Sequence, residues 1–195
     1  LLLLSGARIS AQTKVVALRD KETIPEENRN FPRGYYFEDQ HHDLDKFAGE
    51  WEGIGFGDYH WRVHIAVQKR IDYYGDYWFD ALGLDLSITK DGKPAITPTR
   101  RLIPGTSFIQ GTDFRWDKDK KSIDLNSYKV LFSYGEADKP YKATIVVFLY
   151  MNADQDTIVL RQGVIIAIDE IPNIPDYVIA GGLRAEICTL RRVKK

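Results

Sequence analysis

The feature that most constrains the fold is the alternation of apolar and polar residues that dominates the chain after Phe47. Successive side chains of a β-strand point to opposite faces, so this period predicts strands with one buried and one solvated face. The pattern is clearest in residues 59–68 and 80–90. The apolar positions that we expect to face inward in these two segments are Trp61, Val63, Ile65, Leu84 and Leu86.

Polar turns separate the alternating segments. Asp91 and Gly92 form a pair that accepts the positive φ of a tight hairpin turn, and the stretches DKDKKS (117–122) and NADQD (152–156) have turn composition. No segment has a convincing 3.6-residue period. The sequence therefore predicts an all-β protein, an antiparallel meander of eight to ten strands that closes into a β-barrel. A two-sheet β-sandwich is the alternative.

Composition narrows the class of protein further. A length of 195 residues suits one domain of ordinary size. The formal net charge of -1 offers no basic surplus that would attract phosphates, so we expect no nucleic-acid partner. The single cysteine, Cys188, lies in an apolar-rich segment and is expected to be a buried thiol.

The first residues resemble the end of a secretory signal peptide. Leu1–Leu4 form a short apolar run, which small residues follow as far as Ala11. We therefore expect an exported protein, periplasmic or secreted, with residues 1–11 as a signal peptide remnant. The run is far too short to span a bilayer, so no membrane span is expected. Residues 12–42 are interpreted as an extended lead-in and residues 43–195 as the barrel domain.

The stretch DLDKFAGEWEG, Asp43–Gly53, resembles the opening of the lipocalin (calycin) barrel, where a 3₁₀ turn precedes a Gly-x-Trp at the start of the first strand. The resemblance implies that Gly49 allows a close backbone approach and that Trp51 plugs one end of the barrel. It also implies that an arginine of the last strand lies over this tryptophan, and the alternation there selects Arg191. Residues 43–92 are similar as well to a group of exported bacterial β-proteins of unknown function, which implies export and a β fold but no activity.

The sequence contains no motif that points to catalysis. There is no Gly-x-Ser-x-Gly nucleophile motif and no phosphate-binding loop. His60 and His64 fall on one strand face, about 13 Å apart, which is too far to share a metal ion. We therefore expect no enzymatic activity, no cofactor and no metal site.

The function that we expect is the binding of a small apolar or amphipathic molecule inside the barrel, against the inward-facing residues named above. One alternative is a glycan-binding surface on the aromatic hairpin that carries Tyr74, Tyr77 and Trp78. Another is a structural or assembly protein of the cell envelope, with a solid barrel and an apolar outer patch.

Overall fold

The structure is a computed structural model. It describes residues 13–23, 34–73, 75–95, 98, 109–134, 143–167 and 185–194. The predicted signal peptide remnant, residues 1–11, and the candidate surface residue Tyr74 lie outside these ranges.

The described chain is built from β-strands and short 3₁₀ turns. The strands are β1 (Lys14–Ala17), β2 (Tyr35–Glu38), β3 (Gly49–Gly55), β4 (Tyr59–Tyr73), β5 (Tyr77–Lys90), β6 (Lys93–Pro94), β7 (Ile109–Asp117), β8 (Ser122–Tyr134), β9 (Ala143–Met151), β10 (Thr157–Ala167) and β11 (Glu186–Arg192). The 3₁₀ turns are Leu18–Thr23, Asp45–Phe47 and Phe56–Asp58. The prediction of an all-β fold is confirmed.

All strands belong to one sheet. Hydrogen-bonded neighbours follow the order β1-β2-β5-β4-β3-β11-β10-β9-β8-β7, and β6 pairs with β5. In addition β7 pairs with β5 through two residue pairs, Gly83 with Gln110 and Leu84 with Ile109.

The sheet is mixed, which corrects the expectation of a purely antiparallel meander. β1 pairs with β2, and β2 with β5, in parallel. Both strands come from the segment interpreted as an extended lead-in, and residues 18–34 separate them. A connection of this length can return the chain in the same direction, whereas a tight turn can only reverse it.

The predicted hairpin turns are confirmed. Asp91 and Gly92 have φ values of 51° and 72°, as a tight turn of this kind requires. The other two predicted turns join β7 to β8 and β9 to β10.

A buried carboxylate, Asp80, fastens β2 and the following turn to the β4–β5 hairpin. It accepts hydrogen bonds from the hydroxyl of Tyr36 (2.7 Å), Nζ of Lys69 (2.8 Å) and the backbone amides of Asp39 (2.9 Å) and Arg70 (3.0 Å). Burial opposes ionisation, but these donors outweigh it and lower the pKa of Asp80. A side chain with no exposed surface is thus kept as a carboxylate by its partners.

One face of the sheet, called the core face below, encloses a continuous apolar core. Its largest fully buried side chains are Trp51, Trp61, Tyr128, Phe37, Phe47, Phe79 and Phe132. They come from both halves of the strand order, so side chains from opposite strands meet and pack together. The opposite face, called the outer face, carries the alternate residues of the same strands.

Candidate functional site

Trp51 and an arginine of the last strand connect β3 to β11. The indole of Trp51 is 1% exposed and donates from Nε1 to the carbonyl oxygen of Phe47 (2.9 Å). The guanidinium carbon of Arg192 lies 4.2 Å from the centre of the Trp51 ring. The same guanidinium donates to the carbonyl oxygens of Ala48 (2.7 Å) and Lys46 (2.6 Å). It therefore holds the turn that precedes β3 as well as the tryptophan.

The arginine over Trp51 is Arg192, which corrects the choice of Arg191. The cause is a β-bulge in β11. Leu160 pairs with Cys188 whereas Arg161 pairs with Glu186, so the residue between them, Ile187, has no opposite partner. A bulge shifts the alternation by one residue, and this change of face could not be read from the apolar pattern of the strand.

Gly49 allows a close approach by a side chain of the last strand, where the resemblance implied a close approach of the backbone. Its φ of +135° is a conformation that residues with a Cβ rarely adopt. A Cβ at this position would lie 2.9 Å from Nη1 of Arg192. The absence of a side chain at Gly49 is therefore what lets the guanidinium reach Trp51 and the backbone of the turn.

The predicted ligand-binding residues come together in the core. Trp61, Val63, Ile65 and Leu84 are each at most 1% exposed, and the partly buried Leu86 packs against them. They share a face, as the alternation predicts. Side chains from the facing strands fill the space in front of them. These residues therefore pack against other core side chains and do not line an open cavity.

A groove of about 730 Å³ crosses the outer face where β11, β3, β4 and β5 lie side by side. Two rows of directly opposed residues line it. The first row is Thr189, Ile54, His60 and Thr89. The second row is Arg191, Glu52, Arg62 and Ser87. Trp61 also borders the groove, which is the one place where a predicted ligand-binding residue meets it.

The second row of the groove contains two arginines that have no protein partner among the described residues. Arg62 and Arg191 flank Glu52 on the two neighbouring strands, which puts their Cα atoms about 10 Å apart at the usual strand spacing. Within the described part of the chain, neither guanidinium makes an ion pair or a side-chain hydrogen bond. Next to them, Ile54 exposes 59% of its surface. The groove thus combines two free cationic donors with an apolar surface.

Two of the histidines contact carboxylates. His64 contacts Glu50 (2.7 Å between Nδ1 and Oε1), and His42 contacts Asp45 (3.1 Å). In the described ranges no group of three or more metal-binding side chains comes together. His60 and His64 both lie on the exposed outer face, as the alternation predicts.

The aromatic hairpin packs on itself. The rings of Tyr73 and Tyr77 stack at 4.9 Å, and Tyr77 meets Phe37 edge-on at 5.6 Å. The guanidinium of Arg70 lies 5.3 Å from the ring of Trp78. Tyr77 and Trp78 are both partly buried, so they do not form an open flat platform.

Sequence reasoning missed a buried lysine at the junction of the lead-in and the sheet. Lys21, in the turn Leu18–Thr23, is 8% exposed, and its Nζ lies 2.6 Å from Oδ1 of Asp113. The ammonium also lies 5.9, 5.5 and 5.1 Å from the ring centres of Phe37, Tyr77 and Phe79. Nothing local in the sequence marks this lysine, because its partners are up to 92 residues away.

No helix in the described ranges is long and apolar enough to cross a membrane.

Comparisons with known proteins identified no similar protein. No family model, no curated protein and no solved structure matches this chain.

Proposed function

We propose that this chain is a non-enzymatic binding protein, a lipocalin-like barrel with a packed interior that holds a small amphipathic anion in the groove on its outer face. The observation that carries the proposal is the pair of unpartnered arginines, Arg62 and Arg191, beside the exposed apolar surface of Ile54.

Closure of the sheet into a barrel is supported by the return of β7 to β5. Those two residue pairs make β7 a neighbour of β5, the strand at the other end of the order β5, β4, β3, β11, β10, β9, β8 and β7. Amide hydrogen exchange tests this part of the proposal. We expect the amides of Leu84 and Ile109 to be protected as strongly as those of the central strand β4. Exchange at the rate of an open sheet edge would favour the β-sandwich.

An outer site is supported by the way in which the core is filled. The residues expected to line an internal cavity are almost fully buried against other side chains, such as Tyr128 and Leu190. Interiors pack at the density of organic crystals, so a guest molecule would have to displace these contacts. The groove already offers space and needs no such displacement.

The class of ligand follows from the chemistry of the groove. Arginine presents several N–H donors in a planar fork that matches a carboxylate or phosphate. Ile54, which exposes 59% of its surface, suits a short apolar tail. Hydroxyl groups of Ser87 and Thr89 add neutral polar contacts at the far side of the groove. Together these groups favour a molecule with one anionic head and an apolar body.

The test is an NMR titration of the full chain with sodium octanoate, which has such a head and tail. We expect the backbone resonances of Ile54, Arg62 and Arg191 to shift in a saturable way. Octanol and octylammonium are matched probes without the negative charge and should leave these resonances in place. Arg62→Gln and Arg191→Gln should each weaken binding about tenfold or more, since a charged hydrogen bond contributes about 1.5–3 kcal/mol.

Arg161→Gln is the matched control, because it removes an exposed arginine of the outer face that lies beside Tyr150 and not in the groove. It should bind octanoate like the natural sequence. Equal shifts of these resonances with octanoate and octanol would show that the groove does not require a negative charge on its ligand, and would contradict the anionic head. Shifts of the same residues with a neutral oligosaccharide but not with octanoate would make the groove a glycan-binding surface instead.

Export belongs to the same proposal. It is supported by the sequence pattern of residues 1–11 and by the lipocalin-like opening, Asp43–Gly53. Sequencing the N-terminus of the protein recovered from a bacterial periplasmic fraction tests it. A mature chain that begins at Gln12 is expected, and recovery of an unprocessed chain from the cytoplasm alone would contradict export.

A further inference from the structure

The cluster around Lys21 has the composition of a ligand site. We propose that Asp113 and the rings of Phe37, Tyr77 and Phe79 form a binding site for a primary alkylammonium group, and that Lys21 is its resident ligand. This inference does not depend on the groove: both use β5, but the groove is lined by Ser87 and Thr89 of that strand, and the cluster uses Tyr77 and Phe79.

The carboxylate supplies the charge. Oδ1 of Asp113 accepts from Lys21 at 2.6 Å, and Oδ2 lies 2.8 Å from Nζ of Lys129. The carbonyl oxygen of Thr112 accepts a second, longer hydrogen bond from Lys21 at 3.5 Å. An ammonium with N–H groups can use these acceptors, whereas a quaternary ammonium has no hydrogen to donate.

The rings supply the rest of the surroundings. Three aromatic side chains lie within 6 Å of the Lys21 ammonium, each with its ring centre at a cation–π distance. The positions come from two separate strands, since Phe37 belongs to β2 and the other two rings belong to β5. The site is therefore built by the tertiary fold and not by the segment that carries Lys21.

The site lies outside the short stretch in which β5 and β7 pair. β5 pairs with β7 at Gly83 and Leu84. At the beginning of β5, residues 77–79 pair with β2 instead. Asp113 lies on β7 beyond the paired stretch, and the turn that carries Lys21 contacts β2, β7 and β8. Lys129 also pairs with Asp113, so the carboxylate keeps one ammonium partner when Lys21 is removed.

Chemical rescue tests the proposal. Lys21→Ala deletes three methylene groups and the ammonium, which together have the shape of n-propylammonium. We expect the variant to have a lower Tm than the natural sequence, and n-propylammonium to restore part of the loss. At ten times its dissociation constant, a ligand raises the Tm of a protein of this size by about 3 °C. The natural sequence should show a change below about 1 °C, because its site is occupied.

Three controls separate specific binding from solvent effects. n-Propanol has the same shape without the charge and should not rescue, and tetramethylammonium has the charge without N–H donors and should rescue less. In Lys21→Met the side chain occupies the space of the lysine stem, so n-propylammonium should have no effect. The double variant Lys21→Ala with Asp113→Asn should also lose the rescue.

If Lys21→Ala folds, two outcomes would overturn the proposal. One is a Tm of Lys21→Ala equal to that of the natural sequence. The other is a shift by n-propylammonium that is the same in all variants. If Lys21→Ala does not fold alone, the folded yield after dilution from urea replaces Tm, with n-propylammonium expected to raise it and n-propanol not. No recovery with either additive would equally contradict an ammonium site.

Discussion

The guanidinium carbon of Arg192 lies 4.2 Å from the centre of the Trp51 ring, and the same group donates to two carbonyl oxygens of the turn before β3. A cation–π contact that is shielded from water contributes about 2 kcal/mol, and each hydrogen bond about 1 kcal/mol. We therefore expect Arg192→Ala to lower the free energy of unfolding by about 2–4 kcal/mol in urea titrations. Arg191→Ala, its neighbour on the outer face, should change it by less than about 0.5 kcal/mol. Equal effects of the two substitutions would mean that neither arginine is fixed on Trp51.

Trp51 should be among the most sensitive positions of the core. Its side chain is fully buried, and Trp51→Ala leaves a large void, so we expect a loss of about 3–5 kcal/mol in the free energy of unfolding. Trp116, which is 38% exposed, serves as the control, and Trp116→Ala should lose far less. A loss below about 1 kcal/mol for Trp51→Ala would contradict its role as an anchor of the first long strand.

Asp113 should make the protein sensitive to acid. Burial opposes its ionisation, but the ammonium groups of Lys21 and Lys129 outweigh burial and lower the pKa of this carboxyl. Its stabilising effect is therefore fully present above the unfolded pKa of about 3.9 and is lost as the pH falls further toward the folded pKa. Asp113→Asn should lower the free energy of unfolding by about 3 kcal/mol at pH 7, since it leaves two ammonium groups without their carboxylate. The free energy of unfolding of this variant should also depend less on pH below pH 4.

Asp119→Asn, in the exposed turn between β7 and β8, is the control for this pH series. Urea unfolding between pH 7 and pH 2 should give the same curve for the control and for the natural sequence. If Asp113→Asn falls on that curve as well, the carboxyl does not carry the acid sensitivity.

Cys188 should be inert in the folded protein. It is 1% exposed, and burial, assisted by the nearby Glu186, raises the pKa of its thiol to about 12. The thiolate is the reactive form, so almost none of it exists at neutral pH. We expect no alkylation by iodoacetamide at pH 8 until urea unfolds the chain, as followed by mass spectrometry. Labelling of the native protein at the rate of free glutathione would place Cys188 on the surface.

The sequence predicted the local features of the fold well because they depend on neighbouring residues. Alternation located the long strands, and turn chemistry located the hairpin at Asp91 and Gly92. The burial of Trp61, Val63 and Ile65 on one face follows from period two alone. Even the short 3₁₀ turn before β3 was visible in the stretch that begins at Asp43.

The features that the sequence did not predict depend on how distant segments meet. The bulge at Ile187 exchanges the faces of Arg191 and Arg192, and no local pattern announces an unpaired residue. The groove arises only when the register places Arg62 and Arg191 on either side of Glu52. Whether the interior is hollow depends on the volumes of side chains that meet from opposite strands, which periodicity does not contain.

The segment that carries Lys21 is synthesised well before the residues that it contacts. Asp113, its partner, is 92 residues further along the chain, and the partner of Trp51 on the last strand is more distant still. A nascent chain that emerges from the ribosome, or that threads through a translocation channel, cannot complete the first contact before Asp113 is available, nor the second before Arg192 is available. The protein should therefore stay unfolded for as long as its synthesis takes and then fold slowly, as chains dominated by distant contacts do.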